Sequence, residues 1–244
     1  MAQILIFLGP PGAGKGTQAR VVARELGIPH ISTGDILREA ARKKTSLGLA
    51  AKAKMDKGEL VPDEVISPIV EERLSQPDCK EGAILDGFPR TIAQAKFLGA
   101  MLERAGLGKP LVVNLQVAAD AVIGRLTGRR TCPACGEIYN VYFNASRQKG
   151  VCEKDGSRLV QRADDNEDAI RIRLKAYEQD TLPLIDYYQR KNALLQVDGN
   201  GEPQAITERL LSLVKAHDYL QVGGRNREVA PERTAGEGDS GRDV

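Results

Sequence analysis

The sequence predicts an α/β fold in which a parallel sheet is flanked by helices, and three observations carry that prediction. Residues 4–8 form an unbroken apolar run of strand length, the pattern of a strand buried on both faces. The run leads into Gly9-Pro10-Pro11-Gly12-Ala13-Gly14-Lys15-Gly16-Thr17, after which 18–26 has helical spacing and stops at Gly27. Further strand-length tracts at 82–86, 110–117 and 194–197 alternate with helical stretches, the order expected of strands laid down in parallel with helices between them.

Strand, glycine-rich loop and helix in succession is the context of a phosphate-binding loop, so the sheet is expected to be of the P-loop NTPase type. Glycines let backbone N–H groups turn inward around a phosphate. The helix start adds free donors and its positive dipole end. Gly12, Ala13, Gly14, Lys15, Gly16 and Thr17 are the candidate cradle, with Lys15 as a mobile charge for the outer phosphates. The generic loop carries Ser or Thr directly after the lysine, on magnesium. Here that place is Gly16 and the hydroxyl comes at Thr17, so the cradle is a firmer expectation than a Thr17–metal bond.

The bulk numbers fit one large domain with small inserts: 244 residues, 41% hydrophobic, and 35 Lys+Arg against 33 Asp+Glu. Balanced charge gives no global case for nucleic acid or an anionic membrane as partner. The N-terminal stretch lacks a basic region and a small-residue cleavage site, and no apolar run approaches spanning length. A cytoplasmic enzyme is the expectation, and its four cysteines then read as metal ligands or buried thiols rather than disulfides.

The remaining elements follow in order. Residues 29–32 are extended. A helix opens at Thr33, with Thr33 or Asp35 as cap, and Lys43 and Lys44 close it. A second short helix over 47–57 stops at Gly58. Residues 32–61 thus form a small helical insert that must rest on the sheet. Pro62 and Asp63 start a helix that turns Val65, Ile66, Ile69, Val70 and Leu74 inward. The strand 82–86 ends in Asp86, which faces the ligand crevice if the sheet is parallel and can orient magnesium, through water. A turn carries Arg90 into the same crevice. Helices are expected over 92–105 and 119–127. Residues 128–163 read as a small β insert, with strand-like 138–143. Residues 165–190 are helical with a break at Pro183, and a terminal helix spans 206–219. The core is therefore 1–31, 62–127 and 164–220. The tail 221–244 is too polar to bury itself and reads as disordered.

Cys132-Pro133-Ala134-Cys135 is a metal-type turn, and Cys152-Glu153-Lys154-Asp155 repeats its spacing with Asp in the fourth place. Cys132, Cys135, Cys152 and Asp155 make a closed tetrahedral set suited to Zn2+. With all four places filled the metal is structural and supplies stability that the small insert cannot obtain by burial. A redox pair at Cys132/Cys135 is the alternative.

At this point the motifs carry a family. The loop at 9–17, Ser32-Thr33-Gly34-Asp35-Ile36-Leu37-Arg38, Gly58-Glu59-Leu60-Val61-Pro62-Asp63, Asp86-Gly87-Phe88-Pro89-Arg90-Thr91, Gly128-Arg129-Arg130 and Arg162-Ala163-Asp164-Asp165 resemble the adenylate kinases, in their long, zinc-binding form. The likeness covers 1–217. It implies transfer from Mg-ATP to AMP giving two ADP, by a monomer. It assigns the loop and Lys15 to the ATP phosphates and Arg125 to the ATP adenine. It assigns Thr33, Arg38, Met55, Gly87, Arg90 and Gln94 to AMP, with Gln94 reading the adenine edge and Leu60 and Val61 lining the base. It implies that Arg129, Arg162 and Arg173 clamp the transferring group, with Arg129 also counted on the ATP side and Arg162 and Arg173 on the AMP side. Residues 32–61 and 128–163 would be mobile lids. The chemistry agrees: phosphoryl transfer needs alignment and charge neutralisation, and the AMP phosphate is already a nucleophile, so no general base is required. Competing readings are a kinase for another nucleoside monophosphate, a zinc-dependent nucleic-acid-binding protein with an inactive P-loop, and a non-catalytic nucleotide sensor.

Overall fold

The computed structural model describes residues 3–223. Among them lie seven strands: β1 (Gln3–Leu8), β2 (His30–Ser32), β3 (Gly82–Asp86), β4 (Leu111–Gln116), β5 (Arg129–Thr131), β6 (Ile138–Asn140) and β7 (Leu194–Asp198). Five of them form one sheet in the order β2-β3-β1-β4-β7, and every pairing in it is parallel. The nine helices of the described residues are α1 (Lys15–Leu26), α2 (Thr33–Arg42), α3 (Ser46–Met55), α4 (Asp63–Leu74), α5 (Ile92–Arg104), α6 (Ala119–Thr127), α7 (Glu167–Ala176), α8 (Pro183–Gln189) and α9 (Pro203–Gly223).

The unbroken apolar runs are explained by a sheet covered on both faces. Successive side chains of β1 alternate between two cores. Ile4, Ile6 and Leu8 join Leu85, Val112 and the buried faces of α4, α5 and α8. Leu5 and Phe7 join Ile84, Val113, Leu115, α1 and α9. Because β1 is central, the loop that leaves it is fixed by the most deeply buried part of the molecule. Asp86 ends β3 next door, in register with Phe7.

Several local details differ from expectation. The cap of α2 is Ser32, whose hydroxyl accepts from the Asp35 N–H at 3.2 Å, not Thr33 or Asp35. Thr33 is instead buried, and its hydroxyl donates to Gly87 O at 3.0 Å. α4 buries Ile66, Ser67, Val70 and Leu74, while Val65 and Ile69 stay half-buried. A side chain at Gly48 would stand 2.2 Å from the Ala40 carbonyl carbon, so this glycine lets α2 and α3 cross closely. α7 runs through a π turn at Tyr177–Thr181 into α8, whose first turn holds Pro183, so the irregular turn falls where the proline lacks an N–H to continue the helix.

Residues 128–163 contain the antiparallel pair β5–β6, extended by single bridges such as Thr131 to Val160. The strand expected over 138–143 ends at Asn140, because the Asn140 side-chain oxygen accepts from the Tyr142 N–H at 2.9 Å and turns the chain. α9 reaches Gly223, so residues 221–223 of the expected tail are helical, and 224–244 lie outside the described residues. Among the described residues no helix is long and apolar enough to cross a membrane.

Candidate active site

The carboxyl ends of β1, β2 and β3 open on a cleft of about 960 Å³, at the upper end of the range for small-molecule sites. Every nucleotide-site residue expected from the sequence lines it. The phosphate loop runs through three glycines with positive φ: Gly9 at 136°, Gly12 at 82° and Gly14 at 92°. A Cβ at Gly9 would lie 2.6 Å from Leu115 O, so no side chain fits where the loop leaves the sheet. Gly14 caps α1, and Gly27 ends it at φ 68°. Gly16 stands where a Cβ would come 3.0 Å from Asp86 Oδ2. That contact is a physical reason for glycine after Lys15: the helix start and the carboxylate share the space.

Lys15 Nζ donates to Gly9 O at 2.7 Å and to Pro10 O at 2.8 Å, curled over the loop. Burial lowers its pKa to about 8; Asp86 opposes this, while Arg90, Arg173 and Arg129 add to it. Burial works against the Asp86 charge, yet His30 and Lys15 hold its carboxyl below the usual value. His30 Nε2 lies 3.4 Å from Asp86 Oδ2, longer than a good hydrogen bond, and is otherwise unpartnered.

The arginines converge from separate elements. Arg90 follows β3, Arg129 opens β5, Arg162 precedes the short turn at Ala163–Asp165, and Arg173 is on α7. Asp165 is fully buried and accepts from Arg129 Nε at 2.8 Å, from Arg129 Nη2, and from Arg173 Nη1 at 3.2 Å. Asp164 pairs with Arg173 at 2.9 Å. Arg162 Nε donates to Thr131 Oγ1 at 3.2 Å, and Arg90 Nε to Gly87 O at 2.9 Å. Arg38 pairs with Asp35 at 2.6 Å. Against the opposing effect of burial, that guanidinium lowers Asp35 to about 2. Burial, reinforced by neighbouring guanidiniums, lowers Arg90, Arg173 and Arg162, the last to about 9. The cleft thus holds more cation than its carboxylates offset, and an anionic ligand relieves that crowding.

Gln94 is buried; its Oε1 accepts from the Arg90 N–H at 2.6 Å and its Nε2 donates to Asp63 Oδ1 at 2.6 Å. Met55 and Val61 are half-buried against the first core, with Leu60 beside them on the cleft wall. Arg125 Nη2 donates to Gly199 O at 3.3 Å on the opposite side. There Tyr142 and Asn140 lie over Gly128, where a Cβ would meet both at 2.5 Å.

The four metal-candidate residues also come together. The ligand atoms of Cys132, Cys135, Cys152 and Asp155 lie within 4.8 Å of one another. Cys135 and Cys152 Sγ are 3.6 Å apart, and Cys132 Sγ is 3.2 Å from Asp155 Oδ2. A tetrahedral zinc with bonds of ~2.3 Å needs ligand separations of roughly 3.8 Å, so this Cys3Asp set fits structural zinc. The two turns are built alike: Gly136 N donates to Cys132 O at 3.0 Å and Gly156 N to Cys152 O at 2.9 Å, with both glycines at φ 74°. This metal turn touches two other elements. Arg20 on α1 donates to Gly136 O at 2.7 Å, and Arg42 on α2 donates to Pro133 O at 2.7 Å.

Sequence reasoning missed His30 behind Asp86, Asp63 behind Gln94, and the pairing role of Asp164 and Asp165. A quoted motif contained the last two, but only the fold shows which arginines they hold. Tyr142 and Phe143 stand on the cleft wall, although their sequence pattern is only that of a strand.

The family model described as "Adenylate kinase" matches residues 7–193. The adenylate kinase of Thermodesulfovibrio yellowstonii is 52% identical over 211 residues, 86% of this chain and 98% of the relative. That of Archaeoglobus fulgidus is 51% identical over 211 residues, 86% of this chain and 97% of the relative. That of Bacillus subtilis is 50% identical over 202 residues, 83% of this chain and 93% of the relative.

Proposed function

The chain belongs to the adenylate kinase family, phosphotransferases between Mg-ATP and AMP, and we propose how its cleft performs that transfer. The phosphate loop and Lys15 hold the ATP phosphates. Arg125 lies against the donor adenine. Thr33, Arg38, Gly87, Arg90 and Gln94 hold AMP, with Met55, Leu60 and Val61 against its base. Asp86 would hold the magnesium that comes with ATP, and that ion would supply charge neutralisation on the phosphate oxygens. Arg90, Arg129, Arg162 and Arg173 follow the charge as it spreads over the equatorial oxygens of the transferring group. The AMP phosphate attacks directly, so the site needs no general base. Zinc at Cys132, Cys135, Cys152 and Asp155 is structural and takes no part in the chemistry.

Residues 32–61 and 128–163 act as lids on a core of 1–31, 62–127 and 164–220. Their closure excludes water, which would otherwise take the phosphoryl group. The contacts of Arg20 and Arg42 with the metal turn support such a closed arrangement. A cytoplasmic monomer without nucleic-acid or membrane partners is the accompanying reading, supported by a formal net charge of +2.

The observation that carries the proposal is the convergence of four arginines on one cleft with the phosphate loop and Asp86. Its experiment is Arg90→Ala: transfer is lost, by about a hundredfold or more in kcat, with melting temperature unchanged. Near-normal kcat removes Arg90 from the site.

A further inference from the structure

Gln94 stands between two partners that each permit one orientation of its amide. The Arg90 backbone N–H can only donate, so it fixes Gln94 Oε1, at 2.6 Å. An ionised carboxylate can only accept, so Asp63 fixes Gln94 Nε2, at 2.6 Å. A flipped amide would set oxygen against carboxylate and N–H against N–H. Asp63 is itself held: Thr91 Oγ1 donates to its Oδ2 at 3.2 Å, and the same hydroxyl accepts from the Gln94 N–H at 3.1 Å. As the first residue of α4, Asp63 does not line the cleft, whereas Gln94 does. A closed network of Asp63, Thr91 and the Arg90 N–H around buried Gln94 fixes the orientation of its amide.

The consequence concerns the acceptor base. With one hydrogen of Nε2 and one lone pair of Oε1 already engaged, Gln94 presents one donor and one acceptor, in fixed order. Such a pair matches the donor–acceptor edge of a 6-aminopurine. A 6-oxopurine reverses that edge, with O6 as acceptor and N1–H as donor, and would match only the flipped amide. We infer that Asp63 is a positioning residue for acceptor specificity: through its bond to Gln94 Nε2 it selects 6-aminopurine over 6-oxopurine monophosphates. The inference rests on the reading of Gln94 as the residue that meets the AMP base.

The test uses the full-length enzyme with Mg-ATP and compares kcat/KM for AMP and IMP, acceptors that differ at the purine 6-position and N1. Asp63→Asn keeps the shape, but its amide can either accept from or donate to Gln94, so that the flipped orientation is opposed by the Arg90 N–H alone. The AMP/IMP ratio should fall by about tenfold or more, the scale of one misfitted hydrogen bond, with KM for Mg-ATP unchanged. A merely structural role would lower both acceptors together; an unchanged ratio overturns the inference. If Asp63→Asn does not fold, Asp63→Ser, whose hydroxyl donates or accepts, must give the same fall. Gln94→Ala separates the two levels. If its ratio falls while that of the Asp63 variants does not, the positioning role is wrong and Gln94 still reads the base. If its ratio does not change, the reading of Gln94 fails and the inference with it.

Discussion

Asp165→Asn removes a charge from the centre of the arginine cluster without changing the shape of the side chain. Asp165 is 0% exposed and accepts three guanidinium N–H bonds from two arginines. An Asn at this position keeps one oxygen and turns an NH2 toward a guanidinium. With its oxygen in the Oδ1 place Asn retains two of the three bonds and loses the one from Arg129 Nε, a charge-assisted bond worth roughly 1.5–3 kcal/mol, and breaking a buried pair from one side costs about 3–5 kcal/mol. Arg173 keeps Asp164 at 2.9 Å, so the orphaned cation is Arg129, whose side chain is 14% exposed. That partial access to water points to the lower end, about 3 kcal/mol. Urea unfolding should show an unfolding free energy lowered by this amount, read as a lower midpoint at unchanged slope. Because Arg129 loses its anchor, kcat should also fall by about ten- to a hundredfold. A loss below about 1 kcal/mol with kcat unchanged would refute the view that this buried carboxylate holds the cluster.

Three further expectations follow from contacts in the cleft and at the metal turn. Lys15, lowered to about 8 in the free protein, holds phosphate only while protonated, so kcat/KM for Mg-ATP should fall as pH rises through about 8; the bound phosphates raise the lysine again, and kcat should hold to higher pH. A flat kcat/KM profile to about pH 9.5 counts against it. Chelation should release about one zinc per chain and lower the melting temperature more than it lowers activity at low temperature; a purified protein without stoichiometric zinc would remove the metal assignment. Arg42→Ala deletes a bond from α2 to the metal turn. The Arg42 side chain is 59% exposed, so KM for ATP and AMP should rise only about two- to fivefold, and unchanged values for both would deny it a part in closure.

Much of this architecture was legible because it is written in local pattern. The apolar runs of β1, β3, β4 and β7 and the loop between β1 and α1 need no tertiary information. The two metal turns were legible by spacing, and the glycine following each, Gly136 and Gly156, is a further signal in the same pattern. What escaped was pairing across the fold. Ser32 caps α2 because Thr33 is drawn to Gly87, 54 residues away. Asp63 reads as a helix starter until α5 brings Gln94 against it, 31 residues on. Asp165 meets Arg129 across 36 residues. His30 looks like an edge-strand residue until β2 pairs with β3 and brings it to Asp86. The strand expected over 138–143 failed for a local reason, an Asn side chain competing with the sheet for a backbone N–H.

The central claim is that this cleft carries a phosphoryl group from Mg-ATP to AMP. Incubating the purified protein with Mg-ATP and each nucleoside monophosphate in turn, and following diphosphates by phosphorus NMR, tests it most directly. The account predicts rapid ADP formation with AMP and slow or no transfer to UMP, CMP and GMP. Equal or faster transfer to another monophosphate would contradict the assigned acceptor, and ATP binding without transfer to any of them would contradict the mechanism itself.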